Sequence, residues 1–289
     1  MEVIAISNRK GGTGKTATVS CLGAGLMERG KKVLYVDMDS QRNLTSDFFD
    51  SENEINQLQY TTADIMRNKC KASQAIVHTP IGDIIPASKE LSLMETELAT
   101  ELDKNFRLRE ALKELTGTYH YVLIDCPPSL GLCTINALTA CCSVIIPTEA
   151  EEASISGIYD LLNIVETVRK YTNEYIRVAG VLITRYKGRT QLQRQKAQEI
   201  RETMADQGIK VYEKPIRECI TIAELRSIKR PVTNLYRYAG KGNNAREDYE
   251  RLTDQVEEVA KMNYPSPYFD WRTEWNKRAE GLAKNWRKR

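Results

Sequence analysis

Short, uninterrupted apolar runs recur along the chain: "EVIAIS" (2–7), "KVLYVD" (32–37), "GDIIPAS" (82–88), "YVLIDC" (121–126), "SVIIPT" (143–148) and "RVAGVLIT" (177–184). They are continuously apolar rather than alternating with polar positions, so each predicts a strand buried on both sides. Stretches with helical spacing lie between and after them, at 16–29, 89–115, 153–171, 190–206 and about 244–261. Strands that alternate with helices predict an α/β fold: a doubly wound, mostly parallel sheet with helices on both faces.

The first strand runs straight into "NRKGGTGKTAT" (8–18). Gly14, Lys15 and Thr16 close the phosphate-loop pattern G-x-x-x-x-G-K-[ST], but Arg9 stands where its opening glycine belongs, and a second lysine, Lys10, precedes the glycines. Gly11, Gly12 and Gly14 let backbone N–H groups turn inward, and Ala17 continues the run of donors into a helix whose N-terminus adds partial positive charge. Lys15 is expected to reach the β- and γ-phosphates, and Thr16 to offer its hydroxyl to Mg2+. Asp37 and Asp39 in "VDMDSQRN" and Asp125 in "LIDCPPSLG" sit at carboxyl ends of apolar strands, where an open α/β sheet gathers its ligands. An acid at a strand end is often only a turn former, but three around one loop are expected to face the same phosphates.

With 289 residues, 41% apolar and 28% charged, the composition is that of an ordinary soluble protein, one large α/β domain with appendages. No run of eighteen apolar residues exists, and "MEVIAISNRK" lacks the basic-then-apolar layout of a secretory signal, so a cytoplasmic location is expected. The seven cysteines form no C-x-x-C pair and have no histidine at metal-ligand spacing, which reads as buried reduced thiols rather than a metal or cluster site. The net charge of +3 predicts no nucleic-acid partner by itself, but it is unevenly spread. From Trp271 to Arg289, seven basic residues face two acidic ones, the mark of an interaction tail or of a solvated helix face.

In order along the chain, "KGGTGKT", "VLYVDMDSQRN", "YVLIDCPPSLG", "IIPTEAEEASISG" and "VAGVLITRYKGRT" resemble the successive motifs of the ParA-type partition ATPases, in the group that also contains MinD. The resemblance covers roughly residues 1–260 and implies an ATPase domain over 1–262 that uses ATP and Mg2+, with 263–289 as a basic helical tail. It also gives Lys10 a role, as the lysine of a deviant Walker A motif that reaches across a homodimer to phosphates held by the other subunit. ATP then favours the dimer. By the same resemblance Asp39 orients the attacking water and, with Lys10 and Lys15, makes up the catalytic set. Asp125 acts on Mg2+ through its water shell beside Thr16, and Asp37 is a supporting acid in the same metal set. Where the family usually has "DPQGN" this chain has "DSQRN", so Ser40 and Arg42 replace a rigid turn in the switch loop.

The resemblance further implies an ATP-bound dimer that binds double-stranded DNA without sequence preference, and a ParB-like centromere-binding partner that stimulates hydrolysis. Such a protein is nucleoid-associated and moves a plasmid or a chromosome. Binding of this kind is phosphate contact with counterion release and needs dispersed cations, for which Arg185, Lys187, Arg189, Arg217, Arg226, Lys229 and Arg230 are the candidates. The chain enters its phosphate loop at once, so an operator-reading helix-turn-helix is not expected. In the tail, Trp271, Trp275, Ala279, Leu282 and Trp286 fall within about an 80° arc at helical spacing. That stripe suits packing on the core or on a dimer partner, leaving cations for DNA, or an anionic membrane as in MinD. The membrane reading is the least favoured, because "DCPPSLG" and "DSQRN" look like the ParA versions.

Overall fold

A computed structural model of the chain describes residues 1–219, 243–262 and 266–268. Its strands are β1 (Glu2–Ile6), β2 (Val33–Asp37), β3 (Val77–Thr79), β4 (Gly82–Ile85), β5 (Tyr121–Asp125), β6 (Ser143–Glu149) and β7 (Arg177–Thr184). They form one sheet in the order β3-β4-β2-β5-β1-β6-β7, parallel throughout except for the antiparallel β3–β4 pair at one edge. The helices are α1 (Lys15–Glu28), α2 (Asn43–Ser46), α3 (Glu52–Asn56), α4 (Thr62–Met66), α5 (Ala72–Ala75), α6 (Met94–Glu97), α7 (Arg107–Lys113), α8 (Leu132–Ala140), α9 (Ser154–Tyr171), α10 (Gln191–Asp206) and α11 (Asn244–Ala260).

The continuous apolar strands have the cause that the pattern predicted. Successive side chains of β1 go to opposite faces: Val3 and Ala5 join a core that includes α7, α8 and α9, while Ile4 and Ile6 join a second core with α1 and α11. Burying both faces leaves no position for a polar residue until the strand ends. The register then sets Asp37 and Ile6 on either side of Asp125, so the acidic ends of β2 and β5 are neighbours across the sheet.

The short helices α2 to α5 and α8 lie outside the stretches that helical spacing marked, and two further elements differ from the sequence reading. β3 is an added edge strand of three residues with a half-buried to exposed pattern, too short to show a period. The stretch 89–115 is not one helix. It breaks into a 3-10 turn over Lys89–Leu93, then α6, then α7. Leu91, Met94 and Leu98 start an inward stripe, but Leu102, which would continue it, is fully exposed, and apolar burial resumes only at Leu108. Without an apolar face over those residues, tertiary packing gives a continuous helix nothing to bury.

At the opposite end of the sheet from the acidic residues, Tyr268 donates its hydroxyl to the Ala140 carbonyl at 2.6 Å. Residues 269–289, and with them the expectations for the Trp stripe, lie outside the described residues. Among the described residues, no helix is long and apolar enough to cross a membrane.

Candidate phosphate-binding site

The loop between β1 and α1 is held from outside by side chains that the motif alone does not name. Asn8 donates to the Pro147 carbonyl at 2.7 Å and accepts from the Lys10 N–H at 3.1 Å. Thr184, at the end of β7, donates its hydroxyl to the Thr13 carbonyl at 2.9 Å and also lies 3.1 Å from the Thr148 carbonyl. Gly12 and Gly14 take φ of 79° and 81°, the left-handed region in which a side chain is costly, and α1 starts directly after Gly14 with Lys15. The result is an anion cradle at a helix N-terminus.

Inside it, Lys15 is 7% exposed, and its ammonium donates to the Lys10 carbonyl at 3.2 Å. Burial pushes the Lys15 ammonium below its ordinary range, against the pull of Asp125 and, more weakly, Asp39. Thr16 donates to Asp125 Oδ2 at 2.7 Å. Asp125 Oδ1 is buried without a hydrogen-bond partner, so one acceptor of the pair is unused. Burial, with Asp37 adding to it, raises the Asp125 carboxyl well above the usual carboxylate range. A hydroxyl and a half-satisfied buried carboxylate side by side are a donor set that fits Mg2+, a hard cation that keeps several of its waters.

Asp37 has a different task from Asp125. Its Oδ1 accepts the Asp39 N–H at 3.0 Å, and its Oδ2 accepts the Thr45 N–H at 2.8 Å and the Thr45 hydroxyl at 2.7 Å. Thr45 in turn accepts the Ala87 N–H at 2.9 Å, so this carboxylate stitches the loop after β2 to the end of β4. Full burial pushes the Asp37 carboxyl up to about 6. Beside its expected place on the metal side with Thr16 and Asp125, these bonds give Asp37 a second task, to hold the loop that carries Asp39. Asp39 is 8% exposed and accepts the Gln41 N–H through Oδ1 at 3.0 Å.

That loop carries the chain's own departure. Arg42 has φ 58° and ψ 31°, closes the turn by donating its N–H to the Asp39 carbonyl at 2.9 Å, and pairs its buried guanidinium with Glu52 at 2.9 Å. The left-handed conformation explains why glycine suits this position. Arg42→Ala is expected to unfold more easily than Arg42→Gly by about 0.5–1 kcal/mol, the left-handed penalty less glycine's entropy. Both variants lose the same guanidinium, so denaturant melts of the two isolate the backbone, and equal midpoints would show that φ carries no penalty.

Lys10 lies at the mouth of the loop, not inside it. Its ammonium pairs with Glu151 of the same chain, with side-chain exposures of 36% and 50%, and holds that carboxyl below its ordinary range. Arg9 pairs in the same way with Asp160. Glu151 falls within "IIPTEAEEASISG", where no role was assigned to it. Lying 141 residues from Lys10, it offers no local spacing to betray the pair.

Of the candidate DNA cations, Arg217 is brought beside the segment of Arg185 and Lys187 by a parallel backbone bridge to Tyr186. Arg217 is engaged within the chain: its guanidinium bonds Asp248 at 2.8 Å and Asn244 at 2.8 Å, and its N–H bonds Asp248 as well, so it anchors α11 to the segment after β7. A nine-tenths-buried carboxylate needs that partner. Arg185 and Lys187 are exposed but sit beside acids, Arg185 at 3.1 Å from Glu149 and Lys187 at 3.3 Å from Glu218. Arg189 is exposed. Arg226, Lys229 and Arg230 lie outside the described residues. Cys126 and Cys133, which flank the Asp125 region, are buried, and burial pushes the Cys133 thiol up to about 12.

A glycine cradle over a buried lysine, with the loop's threonine bound to a strand-end carboxylate, defines a P-loop nucleotide-binding protein. The family described as "AAA domain" matches residues 1–178. The sporulation initiation inhibitor protein Soj of Bacillus subtilis is 40% identical over 233 residues, 80% of this chain and 90% of Soj. The chromosome partitioning protein ParA of Caulobacter vibrioides is 36% identical over 260 residues, 89% of this chain and 94% of that one. Among solved structures, cobyrinic acid a,c-diamide synthase from Mycobacterium smegmatis with bound ADP and magnesium superimposes with a TM-score of 0.77 at 29% identity, covering 93% of this chain and 99% of the synthase. The chain belongs to the ParA-type partition ATPases.

Proposed function

We propose that the chain is an ATP-driven DNA-partition switch, in which Mg2+-ATP joins two copies into a dimer that holds DNA and hydrolysis releases it. The observation that carries this reading is the division of labour between two lysines of one loop. Lys15 is buried at the foot of the cradle, while Lys10 stands at its rim on a partly exposed ion pair. A lysine at the rim is free to serve a nucleotide bound by a second copy once it leaves Glu151.

In this reading Lys15 and the loop N–H groups bind the phosphates. Thr16 would hold Mg2+ directly and Asp125 through its water shell, and the ion supplies charge neutralisation on the phosphoryl oxygens. Asp39, held in place through Asp37 and the turn at Arg42, orients the water. Positioning and charge stabilisation then supply most of the catalysis. Exposed cations including Arg185, Lys187 and Arg189 belong to a salt-sensitive DNA face, a ParB-like partner speeds the hydrolytic step, and residues 263–289 form a separate tail.

The test is Asp39→Ala. It is expected to lose roughly a hundredfold or more in ATP turnover while still dimerising with ATP, and to retain an unrelated duplex at low salt that the wild type releases. Wild-type turnover in Asp39→Ala would remove that residue's role. A nucleotide-loaded dimer that ignores DNA at low salt but floats with anionic liposomes would replace the partition reading with a membrane-positioning one.

A further inference from the structure

The loop that follows Asp125 leads into α8 through Gly131, which has no side chain to cap the helix, and no acidic residue occupies its first turn. The missing acceptor comes from elsewhere. Glu95, in α6, accepts the Leu132 N–H through Oε1 at 2.9 Å. The fit is close: a Cβ built on Gly131 would lie 2.2 Å from that oxygen, so glycine is what lets the carboxylate approach the helix end. On the other side, Thr134 donates to the Ser129 carbonyl at 2.6 Å and ties the loop to the first turn of α8.

The same segment also touches the other nucleotide-facing loop. A cavity of about 90 Å³ has Met38 and Ser40, the neighbours of Asp39, on one wall, Pro127 and Ser129 on the second, and Leu91 and Glu95 on the third. Glu95 is exposed and lies outside both strand-end motifs. We infer that Glu95 is a positioning residue for hydrolysis: capping α8 from a separate segment, it fixes the loop after Asp125 against the loop that carries Asp39.

This rests on the ATPase reading above, and its test uses the full chain. In Glu95→Ala, the Leu132 amide is expected to exchange about tenfold faster, and ATP turnover to fall roughly tenfold with ATP affinity changed by less than about twofold. Glu95→Gln keeps an amide oxygen in place and restores most of the turnover. Gly131→Ala displaces the carboxylate and reproduces the Glu95→Ala loss, and the two changes combined cost no more than either alone. Unchanged Leu132 exchange, undiminished turnover, a parallel loss of ATP affinity, no rescue by glutamine, or additive losses in the double variant would each overturn the inference. A wild type that hydrolyses no ATP strikes the ATPase reading instead, and the exchange measurement decides the capping role without it.

Discussion

Lys15→Ala is expected to lose nucleotide binding and to keep, or gain, stability. The binding loss follows from geometry: the ammonium lies inside the glycine cradle, desolvated, where a charge-assisted bond to a phosphate is strong. Its removal is worth about 3 kcal/mol or more, on the order of a hundredfold in affinity. The stability effect has the opposite sign. Burial lowers the Lys15 pKa, so folding disfavours its charge, and the variant gives up a hydrogen bond to the Lys10 carbonyl at 3.2 Å. Thermal melts check both at once. Without nucleotide the variant melts at or above the wild type, and with Mg2+-ATP only the wild type shifts upward, as mass action requires. A variant that melts lower and still shifts with ATP would make Lys15 a structural lysine.

The sheet was legible in the sequence because burial on both faces is written into each strand as an unbroken apolar run, and the acidic residue ending β2 or β5 marks where the apolar run stops. The phosphate loop was legible because its chemistry is local: glycines, lysine and threonine within a few residues on one turn. Partners distant along the chain were not. Asp37 looks like any strand-end acid until Thr45 and Ala87 are seen to bond around it, and Arg217 looks like a surface cation until Asp248, 31 residues on, is found beneath it. Leu102 shows the converse: its spacing continues a helical stripe, yet nothing packs against it. Periodicity reports what a segment can bury, whereas the partner that decides whether it does lies elsewhere in the chain.

Lys10→Ala is expected to leave ATP binding by the single chain close to wild type and to abolish ATP-dependent dimerisation. Two energies decide this. The pair that Lys10 makes with Glu151 has both side chains more than a third exposed, and pairs of that kind contribute about 0–1 kcal/mol. A lysine placed on the phosphates of a nucleotide enclosed between two copies works where water is excluded, and such charge pairs are worth about 2 kcal/mol or more each. The weak bond within the chain therefore yields to the strong one between chains. Because a symmetric dimer contains the contact twice, removing Lys10 costs roughly 4 kcal/mol, about a thousandfold in the dimer dissociation constant. Light scattering with a slowly hydrolysed ATP analogue, beside a direct nucleotide titration of the monomer, separates the two effects. Glu151→Gln is the control: it removes only the weaker partner, so its dimer is at least as stable as that of the wild type. A Lys10→Ala chain that dimerises normally with ATP would mean that the rim lysine serves its own subunit, and the nucleotide would then no longer be part of the interface.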